Sequence, residues 1–124
     1  MKILVVDDET DVQALFQQRF RKEIRDGEME FAFAHSGEDA LIFMKNHDHE
    51  AVLILSDINM PGMSGLELLE RIKEKHRLPP PLVMMITAYG DVENYNTAMR
   101  LGADDFLTKP VNFTELKEKL KAIS

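Results

Sequence analysis

Two adjacent carboxylates, a third carboxylate, a hydroxyl and an ammonium each follow an apolar run in this chain. Asp7 and Asp8 follow ILVV, Asp57 follows VLILS, Thr87 follows LVMMI, and Lys109 follows DFLT. If those runs are parallel strands of one sheet, every one of these groups emerges at the same edge. Ligands of open α/β sheets bind outside the carboxyl ends of the strands. The chemistry such a set can do is phosphoryl transfer. Clustered carboxylates repel one another unless a cation sits among them, and an all-oxygen donor set favours a hard ion, Mg²⁺ first. Such an ion would neutralise the cluster and bridge to phosphoryl oxygens. Lys109 and the Thr87 hydroxyl would stabilise charge on the equatorial oxygens of the transferred group. Asp57 is then the nucleophile and forms an aspartyl phosphate. Singly, each feature has an ordinary explanation as a turn, a cap or a solvated loop. Their coincidence at four strand ends is what carries the reading.

The elements that must position these groups are legible in the spacing of apolar residues. Lys2–Val6 is a short β-branched run, and Val12, Leu15, Phe16, Phe20 and Ile24 recur near helical spacing, predicting one helix closed by Gly27. Residues 29–34 read as a second strand with Phe31 and Phe33 on one side. Ser36 is an N-cap candidate for a helix carrying Ala40, Leu41 and Met44. Residues 51–55 are apolar throughout, as in a strand covered on both faces. Ser64 and Glu67 have capping-box spacing ahead of a helix striped by Leu66, Leu69 and Ile72. Pro79-Pro80-Pro81 end that helix, and residues 82–86 form the fourth strand. Asp91 caps a helix bearing Val92, Tyr95, Met99 and Leu101, closed by Gly102. Phe106 and Leu107 make a brief fifth strand. Asn112, with Glu115 completing its box, caps a last helix carrying Phe113, Leu116, Leu120 and Ile123. Strict alternation of five strands with five helices predicts right-handed crossovers and a mostly parallel sheet covered on both faces.

Composition sets the bounds. The 124 residues suffice for one domain with a real core, here expected to span the whole chain, and 44 % hydrophobic with 30 % charged residues is ordinary for a globular protein. The net charge of −7 argues against direct nucleic-acid binding, which needs a basic footprint. No apolar run approaches the roughly 20 residues of a membrane span. The start, MKILVV, leaves no room for a signal peptide, and the absence of cysteine excludes disulfides and thiolate metal sites. A cytoplasmic address is the expectation. His35, His47, His49 and His76 read as surface residues, the eight Met as gap-fillers, and the Lys/Glu-rich stretches 67–76 and 115–121 as mostly solvated faces with i,i+4 pairs.

Along its whole length the chain resembles a response-regulator receiver domain. The matching pieces are KILVVDDE, LILSDINMPGMSGLELL, the ITA of the fourth strand and the closing GADDFLTKP. The resemblance implies a flavodoxin-like (βα)5 fold with strand order 2-1-3-4-5. It implies Asp57 as phosphoacceptor, with Asp8 and Asp57 as direct Mg²⁺ ligands, Mn²⁺ being a substitute. Asp7 acts on the metal through water, and the backbone carbonyl of Asn59 is a further ligand. Thr87 and Lys109 match the phosphate-sensing pair. The Lys109–Pro110 bond is expected to be cis. Phe106 stands where the family carries a switch aromatic, often Tyr, so a phenolic hydrogen bond is unavailable here. Asn59 and Tyr89 are expected to border the path of hydrolytic water.

Three functions fit such a chain. The first is a phosphorylation-controlled interaction module. Its partners are a histidine kinase or histidine phosphotransfer protein upstream and an output protein or domain downstream. The output face is that of the fourth helix, fifth strand and fifth helix, and phosphorylation-dependent homodimerisation is one output. The second is an aspartyl-phosphate phosphatase or phosphotransferase, which needs its nucleophile on the first strand with a second acid beside it. The third is a phosphorylation-independent scaffold, which usually betrays itself by lost site residues. Here none is lost, so the expectation is a phosphoacceptor that assists only its own phosphorylation and dephosphorylation. No effector motif follows the last helix, so a stand-alone regulator and a receiver cut from a longer chain both remain open.

Overall fold

The structure, a computed structural model, describes residues 1–47, 50, 52–75, 81–88 and 90–123. Its strands are β1 (Lys2–Val6), β2 (Glu30–Ala34), β3 (Val52–Asp57), β4 (Leu82–Ala88) and β5 (Asp105–Lys109). They form one parallel sheet in the order β2-β1-β3-β4-β5, the flavodoxin-like order expected. The helical segments are α1 (Asp11–Arg19), α2 (Arg21–Arg25), α3 (Gly37–Asn46), α4 (Gly65–Glu74), α5 (Val92–Arg100) and α6 (Phe113–Ile123).

Successive strand residues point to opposite faces, and each face has its own core. On one, Leu4, Val6, Ile54, Val83 and Met85 meet Ala40 and Met44 of α3, Leu68, Leu69 and Ile72 of α4, and Ala98 of α5. On the other, Ile3, Val5, Leu53, Leu55, Met84 and Ile86 meet Phe16 of α1, Phe20, and Leu116 and Leu120 of α6. Residues 52–57 are buried without exception, as a central strand covered on both sides requires.

Four predicted caps are made. The side chains of Ser36, Ser64, Asp91 and Asn112 accept from the backbone N–H of Asp39, Glu67, Asn94 and Glu115. Three differences from the sequence reading matter. The N-terminal helix is not continuous: Phe20 leaves helical geometry at φ −109°, ψ 20°. The hydrogen-bond ladder still runs through it, Phe20 donating to Phe16 and accepting from Ile24 at 2.9 Å each, so α1 and α2 are one bent rod. The bend accompanies the seating of a fully buried Phe20 ring 4.9 Å from Phe31 and 6.0 Å from Phe113.

Secondly, β3, β4 and β5 run further than their apolar cores. Asp57, Thr87 and Lys109 therefore lie inside the ladder rather than beyond it. Thirdly, the lysines of α6 are not merely solvated. Lys117 reaches Glu23 of α2 at 3.4 Å and Lys119 reaches Asp105 of β5 at 3.1 Å. The stretch 67–76 does supply the expected i,i+4 pair, Glu67 with Arg71 at 3.3 Å. Pro79, Pro80, His49, His76 and Tyr89 lie outside the described residues. No described helix is long and apolar enough to cross a membrane.

Candidate functional site at the carboxyl edge of the sheet

The register explains the convergence. Val6 pairs with Ser56, so Asp7 follows at the level of Asp57, and Asp57 pairs with Ile86. Thr87 is one step further along β4, paired with Thr108, and Lys109 one step beyond that, opposite Ala88. All five chemical groups stand at one edge because parallel strands end on the same side.

Carboxylate oxygens of Asp7, Asp8 and Asp57 lie within 4.8 Å of one another. Asp7 and Asp57 are buried, whereas Asp8 faces solvent. The Lys109 ammonium donates to Asp57 Oδ2 at 2.9 Å. Burial opposes the charge of that ammonium. The Asp57 hydrogen bond and the Asp57 and Asp7 charges outweigh burial, so Lys109 sits above its ordinary 10.5. Asp7 is also raised, which for an acid disfavours the charged form. Burial raises it above 3.8, the Glu9 N–H (2.9 Å) pulls it down, and the Asp57 charge raises it again. Three carboxylates face one ammonium here, an excess of negative charge carried on hard oxygen donors.

Thr87 is 2 % exposed, and among the described residues nothing hydrogen-bonds its Oγ1. A buried hydroxyl without a partner is costly, on the order of 1–3 kcal/mol. Asn59 is exposed two residues beyond Asp57, and the Lys109–Pro110 peptide is cis. Phe106 is half-buried, its ring centroid 4.3 Å from that of Tyr95. Together with Thr87 these rings line a cleft of about 360 Å³ between α5 and β5.

Residues 3–121 match the family described as response regulator receiver domain. The chain belongs to that family. CpxR of Klebsiella pneumoniae, a transcriptional regulatory protein, is 37 % identical over 98 % of this receiver domain and 48 % of its own length. The response regulator RppA of Synechocystis is 34 % identical over 99 % and 50 %. The receiver domain thus spans about half the length of the curated relatives it matches. Among solved structures, a CheY-like receiver protein from Methanospirillum hungatei superposes with a TM-score of 0.80 at 34 % identity, covering 98 % of this chain and 90 % of that one. The chemotaxis protein CheY4 of Vibrio cholerae gives a TM-score of 0.81 at 25 % identity, covering 99 % and 98 %.

Sequence reasoning missed how the Asp57 loop is held. The Ile58 N–H donates to Ile86 O at 3.1 Å, the Gly65 N–H to Ile58 O at 2.8 Å, and the Ser56 hydroxyl to Asp57 O at 2.9 Å. A Cβ on Gly65 would collide with the Asp57 carbonyl oxygen and lie 2.7 Å from Ile58 Cα, so only glycine lets α4 start this close. The glycine is visible in the sequence, but the backbone it touches is not. Two of the histidines make local contacts. His47 stacks on Phe43 at 4.0 Å, and Nδ1 of an exposed His35 lies 3.2 Å from Asp7 O.

Proposed function

We propose that this receiver domain is a phosphorylation-controlled interaction module of a two-component system, acting in the cytoplasm. A histidine kinase, or a histidine phosphotransfer protein in a relay, presents a phosphohistidine. A carboxylate oxygen of Asp57 attacks phosphorus, the P–N bond breaks, and the imidazole leaves with the bonding electrons. Lys109, already beside Asp57, swings its ammonium to a phosphoryl oxygen and screens the charge that Asp57 gains. The Thr87 hydroxyl donates to a second phosphoryl oxygen, which gives it the partner it lacks. Asp7, Asp8, Asp57 and the Asn59 carbonyl are the groups that would hold Mg²⁺, or Mn²⁺ in its place, with Asp7 acting through water. When bound, that ion neutralises the excess negative charge and polarises the transferred group.

The observation that carries this reading is the juxtaposition of the Lys109–Asp57 pair with two more carboxylates and an unsatisfied buried hydroxyl. Output is read on the face of α5, β5 and α6. There Thr87 and Phe106 adjoin, and Val92, Tyr95 and Met99 leave α5 with an exposed apolar stripe. That stripe suits a downstream protein or a second copy of the chain. The net charge of −7 keeps direct nucleic-acid contact out of this domain's role. Because the CpxR relative is a transcriptional regulatory protein, transcription is the output class we propose for the whole protein.

Intact mass after incubation with acetyl phosphate tests the reading. Wild type should gain one phosphoryl adduct with Mg²⁺ and none with EDTA, and Asp57→Asn should gain none, since an amide is a poor nucleophile. No adduct under any condition would favour a phosphorylation-independent scaffold.

A further inference from the structure

The first turn of α3 touches the loop that follows Asp57. The Glu38 carboxylate accepts the Met63 N–H at 3.2 Å, across 25 residues of sequence. Its Oε1 also lies 3.4 Å from where a Cβ on Gly62 would be, over a left-handed turn at φ +72°. Beneath, Gly37 gives up its side chain to Met63: a Cβ there would sit 2.8 Å from Met63 Sδ. Met60 and Ile58 plug the loop into the core at 9 % and 2 % exposure, while Asn59 between them faces out.

The loop is therefore fixed at three places. Ile58 is tied to β4 and Gly65 back to Ile58, which secures both ends. Among the described residues, the one polar tether between them from another element is Glu38 to Met63. Two backbone donors, its own N–H and that of Met63, hold the Glu38 carboxyl below its ordinary 4.5.

We infer that Glu38 is a positioning residue for the metal-binding loop: by holding Met63 it fixes the Asn59 carbonyl in place for the cation. This rests on the phosphoacceptor reading for the role of Asn59, but the tether itself does not. Groups that orient a metal ligand commonly change affinity by roughly 10- to 100-fold when removed. A solvent-exposed tether belongs at or below the low end of that range.

The test compares wild type with Glu38→Ala and Glu38→Gln in the whole chain. The readouts are Mg²⁺ affinity by calorimetry, Met63 amide exchange by NMR, and the thermal midpoint without Mg²⁺. Glu38→Ala should weaken Mg²⁺ roughly three- to tenfold and speed Met63 exchange, with the midpoint nearly unchanged. Glu38→Gln, whose amide oxygen accepts the same N–H, should restore both to within about twofold. Unchanged Mg²⁺ affinity in Glu38→Ala would overturn the inference. So would a Glu38→Gln as weak as Glu38→Ala, because charge and not the tether would then be responsible. Failure of the phosphoacceptor reading shows separately, as a wild type that binds Mg²⁺ but takes no adduct from acetyl phosphate.

Discussion

At the scale of single residues, Asp7 reports most directly on the imbalance of charge at the site. It is buried, and burial together with the Asp57 charge pushes its carboxyl above 3.8 against the pull of the Glu9 N–H. An acid whose folded pKa exceeds its unfolded one binds its proton more tightly when folded. Its contribution to stability is then fully present below about 3.8 and is lost as pH rises through the raised folded value. Without divalent cations, Asp7→Asn should remove that loss. The variant should be more stable than wild type at pH 7, and the difference should open in the window just above 3.8. Urea unfolding of both proteins across pH 3 to 7, about half a unit per step, measures it. A variant no more stable than wild type at neutral pH would mean that Asp7 is relieved by its neighbours even without metal. Saturating Mg²⁺ should reverse the order, because a ligand that binds only the folded state adds stability.

At the scale of elements, the junction between β3 and α4 is the tightest place near the site. Gly65→Ala puts a methyl group against the backbone of Asp57 and Ile58, where no side chain can rotate away. Overpacking of this kind typically costs about 1–3 kcal/mol, and the shift it forces falls on the phosphoacceptor candidate itself. The expected result is a urea midpoint lowered accordingly and slower acquisition of the phosphoryl adduct. A Gly65→Ala protein that matches wild type in both would show that α4 can withdraw without moving Asp57. Elsewhere the elements are stitched by ion pairs. Lys117 to Glu23 ties α6 to α2, and Lys119 to Asp105 ties α6 to β5. Lys73 of α4 meets Asp104 at 2.9 Å, and that carboxylate also accepts the Val83 N–H at 2.8 Å. The turn before β5 is thereby fixed to β4 and α4 together.

At the scale of the whole molecule, the proposed signal must travel from Asp57 to α5. Lys109 touches Asp57, and Thr87 and Phe106 lie on the face of the sheet that α5 covers, with Tyr95 against Phe106. If phosphorylation draws Lys109 and Thr87 onto the phosphoryl group, the Tyr95 ring should change its surroundings. Lys109→Ala should still accept some phosphoryl group yet leave Tyr95 unmoved. Ring signals of Tyr95 in NMR, with and without acetyl phosphate, separate the two. A Lys109→Ala protein whose Tyr95 responds like wild type would remove Lys109 from the sensing role.

Much of this molecule is written locally. The caps at Ser36, Ser64, Asp91 and Asn112 and the apolar core of β3 are short-range patterns that formed as read, and the alternating runs formed apart from the bend at Phe20. Parallel strands gather their carboxyl ends, so the candidate residues Asp7, Asp8, Asp57, Thr87 and Lys109 were legible as a group before their distances were known. What the sequence could not supply depends on contacts between distant segments. Lys109 meets Asp57 across 52 residues and Glu38 meets Met63 across 25, and neither partner carries a local mark of the other. The bend at Phe20 accompanies a packing against Phe31 and Phe113, and the need for glycine at position 65 depends on the backbone it faces. Periodicity and capping are properties of neighbours along the chain, which sequence alone determines; who touches whom across the sheet is a property of packing, which only the tertiary structure decides.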